Sequence, residues 1–295
     1  MSLATSAPSD PLPPEWMNWI RTNLQRGCRE GDVSSQVRQY GFAEENVAAA
    51  LESFRTQALP ILPPGSPPPA APDAAYVPEA SRIPRRNHIV LKDRTVRITA
   101  RSDRPDVVAI DNLLSAEECD ILVAASRAKI QRSLVVNPET GKGDVSSVRT
   151  SSGTFFQPGE LAVVPVLEAR IAELTGVPAN QGEGLQILNY QVGGQYLPHY
   201  DYFPPHESGS QEHLKSGGQR IATLVLYLND VEAGGETSFP SAGNLRVAPK
   251  KGSAVYFAYY SRYGQLDDKT LHAGEPVVAG EKWIATKWLR QRPWR

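Results

Sequence analysis

RIATLVLYLNDVEAGGETSFP, residues 220–240, is where the fold first declares itself. Its apolar run alternates, with Thr223, Val225 and Tyr227 on one face, and it stops at polar residues before Glu232-Ala233-Gly234-Gly235. Such a pattern reads as a strand, a turn and the start of a second strand. LQILNYQV (185–192), GSAVYFAYY (252–260), GEPVVAG (274–280) and KWIATKWLR (282–290) continue the theme, separated by turns such as VGG and AGEK. Several short strands at this spacing predict a sandwich or barrel. Upstream, SAEECDILVAASRAKI (115–130) predicts an amphipathic helix capped by Ser115, with Glu118 at the capping-box position. VPVLEARIAELTGV (164–177) predicts a second, with Gly176 near its end, and the pair is expected to cover one outer face of the strands.

The first eighty residues have a different character. Eight of the 25 prolines fall between Pro60 and Pro78, and that stretch predicts a semi-rigid polyproline linker at 58–80. Before it, residues 1–57 predict a small three-helix module: PPEWMNWIRTNLQRG, DVSSQVRQYGF and AEENVAAALESF. Gly27 and Gly41 act as stops, Asp32 as an N-cap, and Trp16, Trp19, Ile20 and Leu24 form an apolar stripe. The Gly41-Phe42 pair is similar to one in the three-helix ubiquitin-associated fold; the reading preferred here is a helical bundle with an ordinary core. Residues 81–295 then form the main domain.

A formal charge of −1 gives no field favouring nucleic acid or an anionic membrane, so neither is expected as a partner. No apolar run reaches the ~18 residues of a membrane span. The N-terminus lacks a basic and an apolar signal region, and only Cys28 and Cys119 occur. A reducing, cytoplasmic setting is therefore expected.

LPHYDYFPPH, residues 197–206, raises the question of chemistry, because the chain has only five histidines. On an extended segment His199 and Asp201 project to the same side and can reach one ion. His272, at the start of another predicted strand, supplies a third ligand. Two imidazoles and one carboxylate form the facial triad of non-haem Fe(II) oxygenases, although zinc also takes these ligands. Lys282 follows across the Ala279-Gly280-Glu281 turn, where a hairpin returns it beside His272. Its charge can clamp a dicarboxylate whose other end chelates the metal.

SSVRTSSGTFF, NYQVGGQYLPHYDYF, GGQRIATLVLYLNDVEAGGETSFP and LHAGEPVVAGEKWIATKWLR occur in an order that resembles the prolyl 4-hydroxylase family of Fe(II)/2-oxoglutarate dioxygenases. The resemblance spans residues 105–292. It implies a mainly β double-stranded β-helix, or jelly roll, with supporting helices. It also implies that His199, Asp201 and His272 bind iron, and that Lys282, with Tyr190 and Thr223, binds 2-oxoglutarate. Tyr196, Arg220 and Trp288 match positions lining a peptide site, and Arg149 and Ser151 match a substrate-covering loop. The implied reaction is hydroxylation of peptidyl proline with molecular oxygen and L-ascorbate. Asp201 itself separates the chain from halogenating relatives, which have a small residue there. Glu275 stands where the family often has Cys. Hydroxylation of a free amino acid or small metabolite is one alternative, and a binding or sensing protein on an oxygenase fold is another. The helical module and its linker suggest a protein contact.

Overall fold

The computed structural model describes residues 12–25, 30–55, 76–136, 142–145, 149–157, 159–204 and 207–294. They fall into two units, Met1–Val77 with Ser261–Gln265 and Pro78–Tyr260 with Leu266–Arg295. Most of the proline-rich stretch, together with Gly27 and His206, lies outside the described residues. Among the described residues no helix is long and apolar enough to cross a membrane.

In the first unit α1 (Pro14–Gln25), α2 (Glu30–Gln39) and α3 (Glu44–Arg55) pack around Trp16, Ile20, Val37, Val47 and Phe54. Trp16 is central because its ring meets Trp19, Tyr40 and Phe42 at centroid distances of 4.9–5.6 Å. Gly41 adopts φ +89, a left-handed conformation that permits the sharp break before α3. The predicted N-cap Asp32 is instead inside α2, which already begins at Glu30.

The second unit is built on eight jelly-roll strands: β1 (Leu185–Tyr190), β2 (Tyr196–His199), β3 (Arg220–Tyr227), β4 (Thr237–Phe239), β5 (Leu245–Val247), β6 (Ala254–Ala258), β7 (His272–Gly274) and β8 (Lys282–Arg290). The larger sheet contains the order β6-β3-β8-β1, and the smaller one the order β5-β4-β7-β2. All these neighbours are antiparallel, and the chain passes repeatedly from one sheet to the other. This is the double-stranded β-helix. Strands at His88–Val90, Thr95–Asp103 and Asp106–Asp111 extend the larger sheet beyond β6, and those at Ser152–Phe156 and Gln131–Arg132 extend it beyond β1.

Strand alternation decides what faces the barrel. Along β3 and just beyond, Ala222, Leu224, Leu226 and Leu228 join the core beneath α4 (Ala116–Arg127) and α5 (Val163–Thr175), while Val225 and Tyr227 point between the sheets. Both faces are buried, which is why the segment is almost wholly apolar. Ser115 caps α4 through a reciprocal capping box with Glu118, and Gly176 ends α5 at φ +69. Between β3 and β4 the chain needs Gly234, at φ +75, because a Cβ there would meet the Pro276 carbonyl oxygen at 2.4 Å.

On β8 the outward residue Lys287 is buried, and its ammonium donates to Glu168 of α5 and to the Glu183 carbonyl. This pair fastens α5 to the strand that carries Lys282 and Trp288. Glu168→Ala strands the Lys287 charge and is expected to lower the unfolding free energy by about 3–5 kcal/mol. Urea denaturation checks this, with Glu168→Leu/Lys287→Met expected to lose much less.

Candidate active site

The site begins with a register. β2 and β7 are antiparallel, and His199 lies opposite His272, with ring centroids 4.3 Å apart. Asp201 follows β2 and turns back toward both rings: His199 Nε2 is 3.7 Å from its Oδ1, and His272 Nε2 3.6 Å from its Oδ2. The three candidate ligand atoms lie within 4.8 Å of one another.

Proton bookkeeping shows what these atoms offer. His199 Nδ1 is 2.8 Å from the Leu197 carbonyl oxygen, and His272 Nδ1 is 3.0 Å from that of Thr270. A carbonyl only accepts, so each Nδ1 carries the hydrogen, and in its neutral form each ring turns a bare Nε2 lone pair inward. Burial, reinforced by the neighbouring His272, pushes His199 down to about 3 and keeps it unprotonated. The Asp201 carboxyl lies below its usual range despite its burial, with the Arg220 charge and the Thr223 hydrogen bond among the groups that favour its ionised form. Two lone pairs and a carboxylate thus face one another with no hydrogen between them. A cation resolves that arrangement, and these ligand types suit Fe(II).

Lys282 enters from β8, paired with Tyr190 of β1, and is 2 % exposed. Its Nζ sits 5.4 Å from the Tyr190 ring centroid and has no hydrogen bond or ion pair among the described residues. Burial pushes its ammonium down to about 8, against the opposing pull of Glu236 and Glu275. A cavity runs from this ammonium to the His199–Asp201–His272 cluster, lined also by Tyr190, Thr237 and Trp288.

The remaining sequence-derived residues divide. Tyr196 stacks on His199 at 3.5 Å between centroids, and Arg149 lies over the Tyr196 ring at 4.9 Å. Burial pushes the Tyr196 phenol up to about 12. Arg149 is buried, donates to Gln186 Oε1 at 3.0 Å and lines the cavity. Ser151 does not line it: its hydroxyl bonds Ser133 at 2.9 Å and is fully buried. Arg220 is also turned aside, held by Glu183 at 2.6 and 2.9 Å and stacked on Trp288 at 3.9 Å. Thr223 bonds Asp201 rather than facing the cavity near Lys282. Glu275 receives a hydrogen bond from Ser238 at 2.5 Å, which settles its packing.

Thr237 and Thr286, both in the cavity wall, are polar residues that sequence reading passed over. Thr286 had a signal, since it lies on the same alternating face as Lys282 and Trp288. Thr237, on the short strand β4, had none.

Residues 185–290 match the family model described as the 2OG-Fe(II) oxygenase superfamily. Probable prolyl 4-hydroxylase 3 of Arabidopsis thaliana is 42% identical over 203 residues, covering 63% of this chain and 69% of the relative. The chain belongs to the prolyl 4-hydroxylase family of 2OG-Fe(II) oxygenases. Prolyl 4-hydroxylase 5 of the same plant is 45% identical over 203 residues, covering 63% of this chain and 68% of that one. Among solved structures, the viral collagen prolyl hydroxylase of Paramecium Bursaria Chlorella virus-1, in complex with 2OG, is 32% identical, covers 62% of this chain and 95% of that chain, and has a TM-score of 0.49. Membership implies Fe(II) and 2-oxoglutarate for this chain, and the buried acceptor cluster and lone ammonium fit both.

Lys282 as the partner of a 2-oxoglutarate carboxylate would impose a pH dependence. Its charge is present below about 8 and lost above it, so 2-oxoglutarate affinity is expected to hold near neutrality. Above that point it should weaken by about tenfold for each further pH unit. Titration of the full chain checks this, and Lys282→Arg should flatten the curve.

Proposed function

We propose that the chain hydroxylates peptidyl proline, with His199, Asp201 and His272 holding Fe(II) and Lys282 holding the distal carboxylate of 2-oxoglutarate. The reading is carried by three hydrogen-free acceptor atoms within 4.8 Å and a buried, unpaired ammonium at the other end of the same cavity. When bound, the iron supplies the oxygen chemistry: oxidative decarboxylation of 2-oxoglutarate to succinate and carbon dioxide, coupled to insertion of one oxygen atom into a substrate C–H bond.

The chain's own groups prepare that chemistry. The Leu197 and Thr270 carbonyls fix both imidazoles with Nε2 inward. Lys282 pairs one end of the dicarboxylate, so the other end arrives in a single orientation. Tyr190 and Thr237 stand alongside as hydrogen-bonding partners. The Tyr196 ring stacks on His199 and shields that face of the imidazole.

Substrate class follows from what else lines the cavity. The Trp288 Nε1 and Arg149 Nε hydrogens are buried and unpaired among the described residues, and suit the carbonyl groups of a peptide. Asp201 is the only carboxylate among the described lining residues. A free amino acid would bring an ammonium with no second carboxylate to receive it, so a peptide fits better. The relatives' names as prolyl 4-hydroxylases agree with this choice. L-ascorbate belongs to the same reading as the reductant that restores iron after uncoupled turnovers. A cytoplasmic setting rests on the scarcity of cysteine.

The full chain with Fe(II), 2-oxoglutarate and ascorbate is expected to form one succinate for each oxygen added to a proline-rich peptide, and little with free proline. Asp201→Ala and His272→Ala should abolish both products. Succinate formation driven by free proline but not by peptide would overturn the substrate class. Full activity in Asp201→Ala would overturn the metal site.

A further inference from the structure

Thr223 was expected at the cosubstrate, yet its surroundings lead elsewhere. The residue is wholly buried on the barrel face of β3. Its hydroxyl donates to Asp201 Oδ2 at 2.7 Å and lies 3.0 Å from the Tyr259 hydroxyl, itself 1 % exposed. A threonine hydroxyl has one hydrogen, and an ionised carboxylate can only accept. The Thr223 hydrogen is therefore spent on Asp201, and Tyr259 must donate to Thr223 Oγ1. The chain of bonds has one direction, from Tyr259 through Thr223 to Asp201.

No other donor reaches the Asp201 carboxylate among the described residues. The two imidazoles cannot serve, because their hydrogens are committed to the Leu197 and Thr270 carbonyls. Asp201's main chain is fixed independently: Arg220 donates to its carbonyl at 3.1 Å, and Arg220 is in turn locked by Glu183. Its side chain would otherwise rotate or bind an ion through both oxygens. A β-branched donor on a sheet strand has little rotamer freedom, so the hydrogen bond has a set direction.

We infer that Thr223, oriented by Tyr259, is a positioning residue that occupies one oxygen of Asp201 so that the other is offered to the metal. This rests on the reading of His199, Asp201 and His272 as the metal site. A carboxylate bound through one oxygen keeps the far side of the ion open, which the facial triad requires. The buried hydroxyl of Thr223 is tolerated because both its donor and acceptor capacities are used.

Co(II) is the probe, titrated into the full chain and followed by its visible absorption. Thr223→Val is expected to weaken Co(II) binding by about ten- to a hundredfold, the usual effect of losing an outer-shell partner. It should also alter the Co(II) spectrum, while the KM for 2-oxoglutarate at saturating Fe(II) stays unchanged. Thr223→Ser keeps the hydroxyl and should restore both affinity and spectrum. Tyr259→Phe leaves Thr223 in place and should weaken binding by about fivefold, the equivalent of one hydrogen bond; it carries the test if Thr223→Val does not fold. Wild-type Co(II) affinity and spectrum in folded Thr223→Val, or in Tyr259→Phe, overturn the inference. So does a raised 2-oxoglutarate KM with unchanged metal binding, which returns Thr223 to the cosubstrate. His272→Ala is the control for the underlying reading: if it too binds Co(II) normally, the metal site itself is wrong.

Discussion

The pairing of β2 with β7 is the constraint on which the site depends. These are short strands of the smaller sheet, and their register sets His199 directly across from His272. A slip of one residue would turn one imidazole to the opposite face of the sheet and separate the acceptor atoms. The neighbouring ladders secure that register: β4 pairs β7 through Thr237 and Ser238, and β5 backs β4. Across the barrel, β8 is held between β1 and β3, which points Lys282, Thr286 and Trp288 toward the same space. The chemistry is thus a product of two ladders facing each other.

Much of this was legible in the residues. Alternation along RIATLVLYL and KWIATKWLR gave the strands, the Ser115–Glu118 pair gave the start of a helix, and His199, Asp201 and His272 gave three ligand types at suitable places. Lys282 was legible because a turn of fixed length precedes it. What stayed hidden were choices of partner. Arg220 could equally face a substrate or a buried acid, and only the folded chain brings Glu183 beside it. Glu183 lies on a segment thirty-seven residues earlier, and nothing in the linear order links the two. Ser151 and Thr223 show the same limit, since a small hydroxyl finds whichever buried acceptor lies nearest. Asp32 shows another: a good capping residue is only a cap if the helix begins there, and α2 begins two residues sooner.

The site is also asymmetric in its electrostatics. At one end, burial removes charge from His199 and leaves a lone pair. At the other, burial weakens the hold of Lys282 on its proton. Desolvation acts on both ends: it leaves the His199 lone pair free for a cation, and it leaves the Lys282 ammonium, while protonated, without water and open to pairing with an anion. Glu183 and Arg220 form the complementary case, a fully paired charge cluster behind Asp201 that needs no ligand.

The order of strands bears on how the chain is made. β8 comes last of the eight in sequence, yet it lies in the interior of the larger sheet, with β1 on one side and β3 on the other. During synthesis β1 and β3 emerge long before the strand that must sit between them. The nascent barrel therefore keeps two apolar strand edges open until residues 282–290 have left the ribosome, a situation that invites wrong pairings. Closure then inserts two cavity-lining residues, Lys282 and Trp288, and the Lys287 fastening in one event. Newly made chains should accordingly acquire the cavity late and all at once, with strand-edge protection by chaperones most needed until residues 282–290 have emerged.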